Sequence, residues 1–408
     1  MSDFSKYFLM TTEDVPKYVQ SKLTYFSEDA KLSCTEIGDG NINYVFRVQD
    51  ENGKSIIVKQ AGLETRIKPD LGVSTDRGRI ESEILSIQNS YAEGLVPKIY
   101  LYDGTMCAMI MQDMIGHTMM RTGLLNHEVY PLFADHVTTF MANCLLRTSD
   151  IVMDHKEKKK LVGSFINPDL CGITEDLVYT EPYTDCFNRN HVFPPNAEFM
   201  KKELYDDETL RLEAAKLKFE FMNNAQALIH GDLHTGSVFI NKEHTYFFDP
   251  EFAFYGPMGY DIGNVIANLF FAWTNGDAEI EEKDEKQRFC SWCIDSICDT
   301  IDLFIKKYNA IYDEYVTDTM AKTKGFKEWY LSGILSDTAG CAGIESIRRI
   351  VGMANVKDIT TISDENKRAR AEKIVVSLAK DYIMHRESFK CGDDYRRAIN
   401  IAVKKYPL

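Results

Sequence analysis

The chain has 408 residues, 44% of them apolar and 27% charged, which is the composition of a globular protein with ample material for a core. Its 47 basic and 62 acidic residues give a net charge of −15. This excess of acid argues against a nucleic-acid-binding protein, because such a protein needs a basic surface.

The N-terminal segment carries no basic stretch ahead of its short apolar run, so it does not have the pattern of a secretory signal. The longest strongly apolar run, 262–273, is too short to span a bilayer. We therefore expect a cytoplasmic protein with no membrane partner. A first helix is predicted from Thr11 to about Leu23, because a capping residue and acidic residues mark its start.

Three strands are predicted next, and the first two enclose a polar turn within 34–48. The turn contains Gly38, Gly40 and Asn41, and glycines allow backbone N–H groups to approach a phosphate closely. Hairpins often carry such turns, so the hypothesis of a phosphate-binding loop depends on Lys59. This lysine lies on the third, apolar strand, which is typical of the lysine that contacts the ATP phosphates in kinases.

Apolar residues at helical spacing predict a helix over 79–87. In a kinase, this helix supplies the carboxylate that pairs with the phosphate-contacting lysine. Glu81 and Glu83 both qualify as that carboxylate, and Glu81 is the preferred candidate.

Two further strands are predicted over 95–102 and 107–111. Gln112, Asp113 and Met114 would link two lobes, and their backbone N–H and C=O groups would face the edge of an adenine, an assignment that depends on order along the chain. Met111, at the end of the second of these strands, is counted with Gln112 and Asp113 among the expected ATP-binding residues.

The chain from Leu124 onward is mostly helical in pattern, except that 167–183 predicts a proline-bounded loop, a capped turn and a strand. The predicted helices cover 129–147, 207–224, 262–273, 282–308, 310–323, 326–352 and 364–387.

The most informative stretch is 228–251, where three apolar, strand-like runs alternate with polar residues. Asp232 follows the first run, and Asp249 follows the third, seventeen positions later. Phosphoryl transfer requires one carboxylate that orients and deprotonates the attacking hydroxyl, and another that holds Mg²⁺ against the ATP phosphates. We interpret Asp232 as the base and Asp249 as a metal ligand. Glu251 would face the same metal, because residues two apart in a strand point to the same side.

Two segments of this stretch resemble a known family. HGDLHTGS at 230–237 and FDPEFAFYGPMGYDIGN at 248–264 are similar to the motifs of 5-methylthioribose kinases, within the aminoglycoside phosphotransferase and choline kinase-like group. Ser237 stands where the wider group has Asn, and it points to the methylthioribose branch. In this group an aspartate at the position of Asp261 binds the backbone of the catalytic loop.

The resemblance implies an α+β, bilobed, protein-kinase-like fold. A small lobe with an antiparallel sheet would span 1–112 and bind the nucleotide. A large, mainly helical lobe would span 113–408 and bind the acceptor. The resemblance also implies ATP and Mg²⁺ as partners of the reaction, and a homodimer.

A later helical segment, 338–350, places two adjacent arginines among small and apolar residues. Arginines are rarely found there unless they are paired or bind a ligand. Glu345 is spaced to form a structural ion pair with Arg349. In the resembled family a pair of arginines in this helix holds the sugar, so Arg348 and Arg349 are expected to bind the acceptor together with Asp232.

The expected function is therefore ATP-dependent phosphorylation of 5-methylthioribose to its 1-phosphate, a step of methionine salvage. One alternative is a kinase of the same fold that acts on another small alcohol, such as an aminoglycoside or choline. The other is a nucleotide-binding pseudokinase without catalytic activity.

Overall fold

The computed structural model describes residues 4–37, 43–62 and 76–407. The first part of the chain forms an antiparallel sheet with two helices. Its elements are α1 (Asp14–Lys22), β1 (Ser33–Glu36), β2 (Asn43–Gln49), β3 (Ser55–Ala61), α2 (Asp76–Tyr91), β4 (Ile99–Asp103) and β5 (Ala108–Gln112).

The five strands pair antiparallel in the order β1-β2-β3-β5-β4. Side chains alternate between the two faces of this sheet. Ile56 and Val58 of β3 pack into a cluster with Val15 of α1. Ile57 and Lys59 therefore point to the opposite face, where α2 lies, and Ile57 joins the main core of the molecule there.

Helices dominate the remainder of the chain. Its strands are β6 (Thr118–Met119), β7 (Ala227–Ile229), β8 (Val238–Ile240), β9 (Thr245–Phe247) and β10 (Phe254–Gly256). Its α-helices are α3 (Met120–Leu125), α4 (Phe133–Arg147), α5 (His155–Ser164), α6 (Pro168–Leu177), α7 (Glu181–Thr184), α8 (Ala197–Met200), α9 (Glu208–Asn223), α10 (Met258–Glu279), α11 (Lys283–Tyr315), α12 (Phe326–Val351), α13 (Lys357–Thr360), α14 (Glu365–Met384) and α15 (Gly392–Lys405).

The centre of the helical part is α10, which is buried along almost its whole length. It crosses α12 closely because glycines face that helix. A Cβ on Gly259 would lie 2.5 Å from the backbone nitrogen of Thr338, and one on Gly263 would lie 2.6 Å from that of Ala342. These contacts fix the position of α12 relative to the first turns of α10.

The prediction of a strand within 167–183 is wrong. The segment forms α6 and the short helix α7. Proline in the first turn of each helix is compatible with helix formation, because the N–H group that it lacks has no partner within a helix there. Leu170 and Thr174, four residues apart, give α6 its buried side.

The helical prediction also needs two changes near the C-terminus. A single helix, α11, joins the helix predicted over 282–308 to the start of the one predicted over 310–323 and ends at Tyr315, so 316–323 are not helical as predicted. The helix α15 was not predicted. Across the described ranges, none of the helices combines the length and the apolar character needed to cross a membrane.

Candidate active site

Asp232 lies in the loop that follows β7. Gly231 precedes it with a φ of +80°, and a Cβ there would collide with the backbone carbonyl of Phe252, so glycine is required. Asp261, in the first turn of α10, accepts hydrogen bonds from the N–H groups of His230 at 2.7 Å and Gly231 at 3.0 Å. The prediction that Asp261 binds the backbone of the catalytic loop is confirmed.

The carboxylate of Asp232 is partly open, with 26% of the side chain exposed. Its Oδ1 lies 3.6 Å from Nη2 of Arg348, and its Oδ2 lies 3.4 Å from Nε2 of His234. Ser237 Oγ donates a hydrogen bond to the main-chain carbonyl of Asp232 at 3.0 Å. Ser237 therefore stabilises the backbone of the loop, and the partly exposed carboxylate is available to another group.

Arg348 and Arg349 lie in the last turn of α12 and share one partner, Glu345. The carboxylate of Glu345 is buried, and it accepts hydrogen bonds from Nε of both arginines, at 2.9 Å for Arg349. Burial alone would raise the pKa of Glu345, but the two guanidinium groups outweigh burial and hold that pKa below its ordinary value. Because both bonds use Nε, the terminal nitrogens of Arg348 remain directed towards Asp232.

A third arginine, Arg121 of α3, lies beside this group and was not predicted from the sequence. Its Nε lies 3.3 Å from Oγ1 of Thr235, and its Nη2 lies 3.1 Å from Oδ1 of Asn268. Asp358 is 3.9 Å from Nε of Arg121. Burial, together with the charge of Arg349, lowers the pKa of Arg121 from its ordinary value. No motif marks Arg121, since its contacts come from distant parts of the chain.

In a second group of side chains, Lys59 contacts two carboxylates. Its Nζ lies 2.8 Å from Oε1 of Glu81 and forms a very close ion pair with Asp249. Glu83 instead contacts Arg79 at 2.7 Å. Of the two candidate glutamates, Glu81 is therefore the partner of Lys59.

Glu251 is buried next to this ion pair. Asn43 donates a hydrogen bond to its Oε2 at 3.3 Å, and Arg77 lies 3.9 Å away. Burial raises the pKa of Glu251, and the like charge of Asp249 raises it further, against the opposing effect of Lys59. A cation placed between the carboxylates would relieve this repulsion.

The carboxylates of Asp249 and Glu251 therefore fit Mg²⁺, which prefers oxygen ligands and is often held by one or two carboxylates together with substrate phosphates. The prediction that Asp249 and Glu251 point to the same side because they lie two apart in a strand is wrong, however. Both residues follow the end of β9 at Phe247, outside any strand, and Asp249 has a left-handed backbone with φ of +66°.

The predicted adenine contacts need one correction. Met111 and Gln112 are the last residues of β5, and the N–H of Gln112 donates to the carbonyl of Lys98 at 2.8 Å. Because that N–H is already used, its predicted donation to adenine is wrong. The carboxylate of Asp113 accepts two hydrogen bonds from Arg47, at 2.6 and 3.0 Å, which fixes the start of the linker against β2.

The predicted phosphate-binding turn, with Gly38, Gly40 and Asn41, lies outside the described residues. The strands on either side of it pair antiparallel, with Glu36 opposite Phe46. The turn stays a prediction from the sequence.

Comparison with known proteins agrees with this geometry. The sequence profile of the phosphotransferase enzyme family matches residues 33–286. Methylthioribose kinase of Bacillus cereus strain 03BB102 is 37% identical over 380 residues, which cover 93% of each chain. Methylthioribose kinase of Bacillus cereus strain B4264 is 38% identical over 362 residues, covering 88% of this chain and 89% of the relative.

The solved structure of a glucosamine kinase in complex with glucosamine, ADP and inorganic phosphate has the same fold. Its TM-score is 0.52 at 10% identity, and the match covers 91% of this chain and 86% of that one. The predicted fold, with a small antiparallel-sheet lobe and a large helical lobe, is confirmed. By sequence similarity over nearly its whole length, the chain belongs to the methylthioribose kinase family of phosphotransferases.

Proposed function

We propose that the chain transfers the γ-phosphoryl group of ATP to the 1-hydroxyl of 5-methylthioribose, and that the product enters methionine salvage. The observation that carries this proposal is the surroundings of Asp232. A partly open carboxylate lies 3.6 Å from a guanidinium nitrogen of Arg348, and a second group of side chains pairs Lys59 with Glu81 and Asp249. The family relationship supplies the acceptor.

On the acceptor side, Asp232 would accept the proton of the attacking hydroxyl as its oxygen forms the new bond to the γ-phosphorus. The bond between that phosphorus and the bridging oxygen of ADP breaks in the same step. Arg348 and Arg349 would bind the sugar hydroxyls and offset the charge that develops on the transferred group. Glu345 would keep both arginines in place, because its carboxylate bonds to each.

On the nucleotide side, Lys59 would contact the phosphates, and Glu81 would hold its ammonium group in position. Asp249 and Glu251 would hold Mg²⁺. Held by these two carboxylates, the metal ion would supply positive charge that offsets part of the charge of the phosphates. The described structure supports these roles because all four side chains meet in one cluster.

We further propose a homodimer in the cytoplasm, as the family resemblance implies. Light scattering from the purified protein tests this assembly, and the mass of a single chain would contradict it.

The first test is an assay of ADP release with ATP and Mg²⁺, using methylthioribose, ribose, choline and kanamycin as acceptors. Turnover on methylthioribose should far exceed the others, because cationic acceptors would be repelled by the arginines. The Asp232→Asn variant should bind ATP normally and lose about 10²–10⁴-fold in kcat, the usual contribution of a general base.

A matched control is Asp313→Asn, which changes an exposed aspartate of α11 and should leave kcat unaltered. Turnover on choline or kanamycin alone would keep the fold and discard the proposed acceptor. ATP binding without turnover on any of the four would favour the pseudokinase alternative.

A further inference from the structure

His234 lies two residues after the proposed base and begins the short turn Thr235–Ser237. Its Nδ1 accepts a hydrogen bond from the N–H of Gly236 at 3.1 Å, and its Nε2 lies 3.4 Å from Oδ2 of Asp232. A neutral imidazole carries a proton on one nitrogen only. Because Nδ1 is the acceptor, that proton is on Nε2, the nitrogen that lies 3.4 Å from Oδ2 of Asp232. This contact is slightly longer than a hydrogen bond and becomes one if the two groups approach by a few tenths of an ångström.

The charges around His234 keep its ring neutral. Burial lowers the pKa of His234 well below its ordinary value, and Arg121 of α3 and Arg349 of α12 lower it further. Arg348 acts in the same direction, and Glu345 opposes these effects without reversing them. Asp232 is the carboxylate that the ring itself faces. The ring is therefore a hydrogen-bond donor that does not compete with Asp232 as a charged acid.

The position of Asp232 poses a physical problem that this donor solves. Both neighbours of the Asp232 carboxylate stand just outside hydrogen-bond distance, Arg348 Nη2 at 3.6 Å from Oδ1 and His234 Nε2 at 3.4 Å from Oδ2, whereas a charge-assisted hydrogen bond measures roughly 2.7–2.9 Å. A small rotation of the carboxylate would close the gap to Arg348. The two groups would then form a strong ion pair, and the oxygens needed for the acceptor's proton would be engaged by the arginine.

We propose that His234 is a positioning residue that donates Nε2–H to Oδ2 of Asp232 and prevents the carboxylate from closing onto Arg348. This inference rests on the proposed function, since it gives Asp232 the role of base. It predicts that the ring acts on kcat and leaves nucleotide binding unchanged.

The kinetic test compares two substitutions of His234. Phenylalanine has a similar shape and no donor, so His234→Phe should lower kcat with methylthioribose on the order of 10–100-fold, the effect of a misaligned reacting group, with the KM for ATP unchanged. Glutamine places an N–H near the position of Nε2, so His234→Gln should recover most of the lost rate. Equal activity of the two variants would overturn the proposal.

A double substitution separates positioning from a general loss of structure. In the Asp232→Asn background there is no carboxylate base left to position, so adding His234→Phe should change kcat less than about twofold, as expected for residues that act as a unit. A further loss as large as that in the wild type would show that His234 acts independently of Asp232, and would contradict the proposal.

A spectroscopic test does not depend on turnover. Nitrogen-15 spectra of histidine-labelled protein, assigned by the loss of one signal in His234→Gln, should show His234 as the neutral Nε2–H tautomer between pH 6 and 8. An imidazolium ring or the Nδ1–H tautomer would overturn the inference. If the wild type has no activity on methylthioribose but the tautomer is as expected, the proposed acceptor fails and the contact between His234 and Asp232 stands.

Discussion

Lys59 contacts Glu81 and Asp249 at the same time. Burial alone would lower the pKa of its amine, but the charges of Asp249 and Glu81 outweigh burial and raise that pKa above its ordinary value. The amine therefore stays protonated at any pH at which the enzyme would work. The buried ammonium group and the carboxylates beside it stabilise each other. Removing one of them would leave a buried charge without compensation, which is strongly unfavourable.

A second titratable residue permits a test of stability against pH. Asp337 of α12 is largely buried, and burial, with a smaller contribution from the charge of Glu220, raises its pKa from 3.8 to about 7, although Arg386 opposes this. The folded state therefore keeps this proton over a pH range in which the unfolded state has lost it. Stability is reduced progressively as the pH rises from about 4 to about 7, and the cost is then constant.

The Asp337→Asn substitution removes that cost. Relative to the wild type, its free energy of unfolding in urea should rise by at least about 1 kcal/mol between pH 5 and pH 8, since each pKa unit corresponds to about 1.4 kcal/mol. Asp313→Asn, in which the replaced carboxylate is exposed, is the control and should show no such trend. Parallel curves for Asp337→Asn and the wild type would contradict the raised pKa.

Single residues differ in how far the sequence can predict them. Asp232 stands in a short motif whose chemistry explains its spacing, so the sequence alone identifies it as the candidate base. Arg121 reaches Thr235 across 114 positions of the chain, and no local pattern records that contact. The choice between Glu81 and Glu83 was open for the same reason, because it depends on which side of α2 faces β3.

At the scale of elements, the crossing of α10 and α12 connects the two sides of the acceptor site. The first turn of α10 carries Asp261, which fixes the catalytic loop. The last turn of α12 carries Arg348 and Arg349. Gly259 and Gly263 let the two helices touch. The distance between the base and the arginines is therefore set by how closely these two helices approach.

The close contact between α10 and α12 predicts that one added methyl group, in Gly263→Ala, will lower the stability of the protein. In Gly263→Ala the new Cβ would lie 2.6 Å from the nitrogen of Ala342 and 2.8 Å from the carbonyl of Thr338, so the helices must separate. We expect a loss of about 1–3 kcal/mol in the free energy of unfolding, typical of overpacking, together with a higher KM for the acceptor. Urea unfolding and steady-state kinetics measure the two effects.

Gly333→Ala, on the partner helix α12, is the matched control. A Cβ there meets no atom within 4 Å, so the substitution should stabilise the protein by up to about 1 kcal/mol through helix propensity alone. If Gly263→Ala were equally stabilising, the close crossing of α10 and α12 would be in error.

Helices and strands were predicted correctly where the local sequence pattern agrees with the way the segment packs in the fold. The strand β3 contains a continuous apolar run and is buried on both faces, and the third predicted strand, which carries Lys59, corresponds to it. The segment 167–183 was misread because its prolines resemble loop signals, and only the packing of α6 and α7 shows that each proline lies in the first turn of a helix. The left-handed Asp249 was unpredictable for a related reason, since few residues other than glycine signal such a conformation.

At the scale of the whole molecule, several hydrogen bonds and ion pairs join the described sheet part to the helical part. Lys59 pairs with Asp249, and the N–H of Phe247 donates to the carbonyl of Leu95 at 2.8 Å. The two-part arrangement itself followed from the sequence, because strands fill the first quarter of the chain and helices fill the rest. The boundary at residue 112 stays a prediction.

A nucleotide bound between the two parts should stabilise both. A non-hydrolysable ATP analogue with Mg²⁺ at 100 times its Kd should add about 2.7 kcal/mol to the free energy of unfolding. Removing Mg²⁺ with EDTA should reduce the increase in Tm. Glu251→Gln should abolish most of this difference between Mg²⁺ and EDTA, and Asp232→Asn should keep it. A full Mg²⁺-dependent increase in Glu251→Gln would remove Glu251 from the proposed metal site.

The shared carboxylate of Glu345 also constrains how this family can change over generations. Loss of Arg348 or Arg349 leaves the buried acid with one compensating cation instead of two, and loss of Glu345 leaves two adjacent cations that repel each other. Each single substitution is harmful in a background that retains the other two residues. A lineage that adapts to a cationic acceptor must therefore pass through unstable intermediates or replace the three residues together, so acceptor preference is inherited as a unit.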